Sequence, residues 1–135
     1  MSRHIRNPDV PSSTSPVAQA MCCGNMVFVG GQMPRDASTG LIPAEPRKQA
    51  ELSMNYCLRL VRAAGFEPQD IMLVFAYLTN LEHKPMINEV FLENFGTQGP
   101  ARNLVEVSQI GDGAVVEFSV IACKADAIAQ KPGRP

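Results

Sequence analysis

In the stretch Gly99-Pro100-Ala101-Arg102-Asn103-Leu104-Val105-Glu106-Val107, one arginine follows a Gly-Pro break and opens an extended run. Proline fixes its own φ and biases the residue before it toward extended backbone, so Gly99-Pro100 reads as a loop ending where a strand begins. Arg102 then stands where loop meets sheet, a common place for functional side chains. Its planar fork suits two-pronged pairing with a carboxylate and stays charged at any working pH. On position alone, a surface or ion-pair residue is the commoner reading of such an arginine. Fifteen residues on, Glu117 interrupts the mostly apolar run Ala114-Val115-Val116-Glu117-Phe118-Ser119-Val120-Ile121-Ala122. A carboxylate there is costly unless it is paired, protonated or faces a cleft. Glu117 reads either as the structural partner of a buried cation or as a group that handles protons. A third feature is the glycine pair in Gly30-Gly31-Gln32-Met33-Pro34. Paired glycines at a strand end permit close approach of another chain or a ligand and leave backbone N–H groups accessible; a plain bulge or turn is the alternative.

Other chemistries are disfavoured. Net charge of −1 and a pI near 6.1 supply no electrostatic footprint for nucleic acid or an acidic membrane. No apolar run approaches the roughly 20 residues of a membrane span, and the polar N-terminal residues carry no signal-peptide core. Cys22, Cys23, Cys57 and Cys123 show no CxxC spacing, and His4 and His83 lie far apart, so neither a metal site nor a cofactor is expected. The cysteines read as reduced thiols of a cytoplasmic protein, with Cys22 and Cys23 pointing to opposite faces of a strand.

The elements that must position these residues follow from periodicity. At 135 residues the chain should be one domain, 1–135, with flexible ends at residues 1–6 and 126–135. Residues 1–17 read as an extended, loop-like lead-in. Ala18 to Cys23, the turn Gly24-Asn25 and Met26 to Val29 read as a hairpin. Ala50, Met54, Cys57, Val61 and Ala64 recur at spacings of four and three, one face of a helix from about Arg47 to Ala64 stopped by Gly65. Leu52 and Tyr56 fall opposite that face, as scattered surface apolarity. Ile71 to Leu78 is apolar without alternation, which fits a strand covered on both faces. Helices can cover one face; self-association is the economical cover for the other. A second helix runs from about Lys84 to Phe95, with Ile87, Val90, Phe91 and Phe95 on its apolar side. Arg102 to Ile110, the turn Gly111-Asp112-Gly113 and Ala114 to Lys124 read as a final hairpin. That hairpin would set 107 opposite 117 and turn Arg102 and Glu117 to different faces. The order is β-β-α-β-α-β-β, with room for a short strand near the N-terminus: an α+β layer design of about six strands with helices on one face.

Pro100-Ala101-Arg102 with Val105-Glu106-Val107, then Val116-Glu117-Phe118, resembles the C-terminal signature of the reactive intermediate deaminase family (RidA, also called YjgF). Gly31-Gln32-x-Pro34, Ala63-Ala64-Gly65 and Asn88-Glu89-Val90-Phe91 extend the resemblance, which runs from about Asn7 to Ala122. It implies a chorismate-mutase-like fold, a homotrimer with ligand clefts between subunits, and hydrolysis of reactive 2-imino or 2-enamino acids to 2-oxo acids and ammonia. Arg102 would anchor the substrate carboxylate and Glu117 would position or activate water, with Gly31 and Asn88 at the cleft and no cofactor. Three positions depart from the family pattern. Val17 stands where Tyr is common, Leu104 where Cys is frequent, and Gly30 where Ser or Thr precedes the key glycine. These predict a cleft wall that is more apolar and roomier near Gly30, suited to a substrate larger or more apolar than iminobutyrate. The alternatives are a non-catalytic binder of a small carboxylate such as a 2-oxo acid and, against the acidic pI, a ribonuclease.

Overall fold

The computed structural model of the protein describes residues 1–125. Strands β1 (Ser2–Ile5), β2 (Ala20–Cys23), β3 (Met26–Gln32), β4 (Ile71–Leu78), β5 (Ala101–Glu106) and β6 (Val116–Cys123) form one sheet in the order β1-β2-β3-β6-β4-β5. Neighbours are antiparallel except β4 and β5, which run parallel around helix α2 (Lys84–Phe95). The other long helix, α1 (Pro46–Ala63), packs on β6 and β3. Its start is set by Pro46, whose missing N–H costs nothing in a first turn. At its end Gly65 adopts φ +88, while Gly65 N–H bonds Arg62 C=O and Phe66 N–H bonds Val61 C=O. That is a Schellman cap, and it needs the positive φ that glycine supplies.

Ala50, Met54, Cys57, Val61 and Ala64 are all buried, as their spacing predicts. Tyr56 corrects the reading of the opposite face: it is 4% exposed, and its hydroxyl donates to Arg35 C=O. The loop between β3 and α1 folds over that side of the helix, a long-range contact that a helical wheel does not contain. Leu52 packs at the core margin rather than in open solvent. Ser2–Ile5 also departs from the expected flexible end. It pairs with β2 as an edge strand and buries Ile5. Cys22 is buried and Cys23 exposed, on opposite faces as read. Residues 126–135 lie outside the described residues.

The expected final hairpin does not form. β5 and β6 are separated by β4, which pairs with both. The composition of the strands explains the choice. Val116, Phe118, Val120 and Ala122 of β6 alternate as a fully buried stripe, which belongs in the sheet centre with a neighbour on each side. β5 carries Arg102, Asn103 and Glu106 and has no buried residue, a composition suited to an edge. Gly111–Gly113 forms a short 3₁₀ turn, with Asp112 at φ 57 held by an ion pair to Arg35.

From Leu73 onward β4 alternates between buried residues (Val74, Ala76, Leu78) and half-buried ones (Leu73, Phe75, Tyr77). The buried side faces the helices. The half-buried side belongs to an apolar sheet face that nothing in the described chain covers. Register places Phe28, Ile121 and Leu73 in one row across it, and Ser119, Phe75 and Asn103 in another.

Candidate active site

Strand pairing separates Arg102 and Glu117. Arg102 is in register with Val74, whose side chain is buried under the helices, and Glu117 with Tyr77, on the open face. Arg102 and Glu117 of one chain therefore occupy opposite faces. The expectation of different faces holds, but its cause is the intervening β4 and not a hairpin.

On the helix side, Arg102 is held by two residues one turn apart on α2. Its Nη1 donates to Asn88 Oδ1 at 3.0 Å, and its Cζ lies 4.8 Å from the centroid of the Phe91 ring. The ring's negative face attracts the guanidinium while one side chain amide fixes its rotation. Partial burial shifts its pKa below the usual arginine value, and the group stays a cation in any ordinary buffer. The loop Gly99-Pro100 and the end of α2 complete a recess of about 490 Å³ around it. An arginine with an aligned, partly desolvated fork at the mouth of a recess is chemically suited to grip a carboxylate. Leu104 shares this side of the sheet, in register with Ala76, but packs at the core margin and lines neither this recess nor the larger one below.

On the open side, Glu117 lies against the bulge that Gly30-Gly31 makes in β3. Register slips between Val29 and Gln32, so two residues of β3 face one of β6. A Cβ on Gly31 would fall 2.9 Å from the Glu117 carboxyl carbon, a separation that requires something to move. Glycine is needed here for close approach. At Gly30 the same added atom would meet Gln19 C=O at 3.5 Å and Ala18 C=O at 3.8 Å, both ordinary contacts. Burial raises the Glu117 carboxyl above its usual pKa, and among the described residues no charge or hydrogen bond offsets the shift. The run that surrounds Glu117 therefore contains neither the buried cation nor the pairing that a structural role predicts. A half-buried, unpaired carboxylate beside accessible backbone is the arrangement of a general acid–base group.

Gly30, Gly31 and Val17 line a cavity of about 710 Å³. Val17 is 64% exposed, and Ser12, Ser13, Thr14, Ser15, Arg6 and Arg35 share the wall with it. Val17 therefore stands on this wall among polar and apolar groups alike, while Leu104 does not line it.

Sequence reasoning passed over a set of polar residues on α1. Gln49 and Ser53 are 3% and 0% exposed, and both bond the backbone of the segment that carries Glu117. Their signal was present: with Cys57 they recur every four residues, next to the apolar stripe. Among the described residues, no three His, Cys, Asp or Glu side chains gather as a metal site, and no helix is long and apolar enough to cross a membrane.

A family model, Endoribonuclease L-PSP, matches residues 8–124. The chain belongs to the RidA/YjgF/endoribonuclease L-PSP family. A RutC family protein of Pyrococcus horikoshii is 32% identical over 125 residues, covering 92% of this chain and 99% of that one. The 2-iminobutanoate/2-iminopropanoate deaminase of Escherichia coli is 30% identical over 127 residues, with the same coverage of the two chains. The crystal structure of E. coli TdcF with bound serine superposes with a TM-score of 0.85 at 32% identity, covering 91% of this chain and 99% of that one. The α+β fold, a six-stranded mixed sheet with two helices, is therefore that of solved RidA-family proteins.

Proposed function

We propose that this family member hydrolyses reactive 2-imino and 2-enamino acids to 2-oxo acids and ammonia, in clefts formed between subunits of a homotrimer. The observation that carries the reading is the unpaired, half-buried Glu117 carboxylate packed against Gly31, with a carboxylate-gripping arginine on the opposite face of the same sheet. Imine hydrolysis requires an electrophilic carbon held near a water, with a proton acceptor in reach. Arg102, steadied by Asn88 and Phe91, anchors the substrate carboxylate, and Glu117 takes a proton from the attacking water as it adds to the C=N carbon. The carbinolamine then loses ammonia, for which the same carboxyl returns the proton. Neither step consumes a cofactor. Because Arg102 and Glu117 face apart within one chain, a cleft holding both takes each from a different subunit. The uncovered apolar face of the sheet is the surface through which the subunits meet. The activity named for the E. coli relative at 30% identity and the serine bound to TdcF, itself an amino acid with a carboxylate, both support this chemistry.

The hydroxyls of Ser12 to Ser15 and the cations of Arg6 and Arg35 around Gly30 favour a substrate with an extended polar side chain over the smallest imino acids. The test generates imino acids of graded size in situ from an amino-acid oxidase and follows the approach to 2-oxo acid with and without this protein. Acceleration that Glu117→Gln lowers about a hundredfold or more, to a small residual turnover, with ligand binding retained, is expected. Binding without turnover by the wild-type protein would instead identify a carboxylate-binding member of the family.

A further inference from the structure

We propose that Ser53, at the centre of the buried stripe Gln49–Ser53–Cys57 on α1, is a positioning residue that holds the Glu117 segment of β6 in place against the Gly30-Gly31 bulge. The role rests on the reading of Glu117 given above. The three side chains stand four residues apart and so project from one helix face toward β6. Each bonds backbone on one side of Glu117 or the other. Gln49 Oε1 accepts from Val115 N–H at 2.8 Å, and its Nε2 donates to Pro43 C=O at 2.8 Å. Ser53 Oγ accepts from Phe118 N–H at 2.9 Å and donates to Gln32 C=O at 2.6 Å. The Cys57 thiol donates to Phe118 C=O at 3.5 Å.

Ser53 carries the arrangement because it alone joins both strands of the bulge. Gln32 and Phe118 form the register pair directly after the slip, where β3 has one residue too many for β6. A bulge leaves the ladder locally unpaired, and the strands can settle in more than one spacing. A hydroxyl that donates to one strand and accepts from the other fixes that spacing from outside the sheet. Gln32 adds a second tie by donating its Nε2 to Gly30 C=O at 2.9 Å, which braces the two glycines from behind. The bulge that brings Gly31 against the carboxylate is thus held by a helix side chain that touches neither substrate nor water. Full burial of Ser53 and two short bonds in one low-dielectric place make the tie strong and its loss costly to geometry.

The experiment is a double-mutant cycle of Ser53→Ala with Glu117→Gln, read by steady-state kinetics. In the wild-type background Ser53→Ala is expected to lower kcat about thirtyfold with KM changed less than threefold, because Arg102 is held by Asn88 and Phe91 of α2 and not by the Ser53 bonds, and keeps its hold on the substrate. In the Glu117→Gln background the same change should alter residual turnover less than twofold. Equal losses in both backgrounds, or wild-type kcat in folded Ser53→Ala, would overturn the proposal. If Ser53→Ala does not fold, Ser53→Cys, which keeps a weaker donor at the same length, carries the same comparison. A readout free of any substrate separates this proposal from the reaction assignment. In native-state hydrogen exchange, Phe118 N–H should exchange at least tenfold faster in Ser53→Ala while Val90 N–H in α2 is unchanged. That result with no imine turnover in the wild type would retain the clamp and remove the deaminase reading; unchanged Phe118 exchange would remove the clamp whatever the activity.

Discussion

At the scale of single residues, Arg102 can be tested against its own alternative. An arginine that only ties β5 to α2 would lose stability when replaced, and its activity would fall in step with folded protein. An arginine that grips a carboxylate loses orientation. Arg102→Lys keeps the charge but cannot stack on Phe91, bond Asn88 and present two parallel donors at once. Loss of one charge-assisted hydrogen bond costs roughly 1.5–3 kcal/mol, about ten- to more than a hundredfold in kcat/KM. Arg102→Ala should do worse, with assembly and melting temperature held. Near-normal kcat/KM per folded Arg102→Ala protein would end the anchoring role. Glu117 offers a second test, through pH. Its carboxyl pKa is raised in the folded state by burial, so folding favours the protonated form. Its contribution to stability is fully present below the unfolded-state pKa and is lost as pH rises through the folded-state pKa. Glu117→Gln removes a carboxylate that is costly only when ionised. The variant should therefore melt higher than wild type at about pH 8, and the difference should vanish toward about pH 4. A thermal-shift series across that range decides it; a variant that melts lower at pH 8 would show that the carboxylate is stabilised by a partner.

At the scale of elements, both helices and every strand core except that of β1 were legible, because periodicity and capping are local. The buried stripe of α1, its Gly65 stop and the apolar side of α2 all come from residues within a few turns of each other. Sheet order was not legible. Whether β6 pairs with β5 or inserts between β3 and β4 depends on strands nearly a hundred residues apart, and the Gly-Asp-Gly turn imitates a hairpin signal. Tyr56 and Ser53 were missed for the same reason: each gains its meaning from a partner outside the helix. The glycine pair was legible as a bulge or a place of close approach, and the structure gives the bulge, with Gly31 set close against the Glu117 carboxyl. The two glycines therefore differ in what they tolerate. Gly31→Ala pushes a methyl into the Glu117 carboxyl, which can swing away because it ends a flexible side chain. The fold should survive, while kcat falls at least tenfold, a barrier change of about 1.4 kcal/mol or more. Gly30→Ser meets only ordinary contacts, with Gln19 C=O and Ala18 C=O, so it should fold as wild type and keep at least a third of its kcat. Circular dichroism melts and kcat for the pair make the comparison; a Gly31→Ala enzyme as active as wild type would show that the close approach to Glu117 has no part in turnover.

At the scale of the whole molecule, the sheet presents one face to two helices and leaves the other bare. Phe28 and Val105 are 43% and 45% exposed on that bare face, beside half-buried Leu73, Phe75, Tyr77 and Ile121. A continuous apolar surface of this kind marks an interface rather than a solvated wall. On the proposed reading, the opposed facing of Arg102 and Glu117 would make an interface part of the chemistry, with a consequence that a single-chain site cannot imitate. On the proposed chemistry, rings built wholly of Arg102→Ala or wholly of Glu117→Gln subunits should show only residual turnover. In a cyclic trimer whose clefts pair the arginine of one subunit with the glutamate of the next, every mixed ring contains one cleft in which both residues are intact. Random mixing in equal amounts leaves about three rings in four mixed, each with one working cleft in three, so activity should return to about one quarter of wild type. Recovery requires subunit exchange, which a brief unfolding and refolding of the mixture supplies, and light scattering verifies that trimers have re-formed. Refolding each variant separately and then combining them on ice, below the exchange rate, should give no activity. If one chain supplied both residues to its own cleft, no mixture would recover any, however completely the rings had exchanged. A quarter of wild-type turnover against none is a difference that the simplest kinetic assay resolves, and it decides at once whether the protein assembles and whether its assembly is what completes the site.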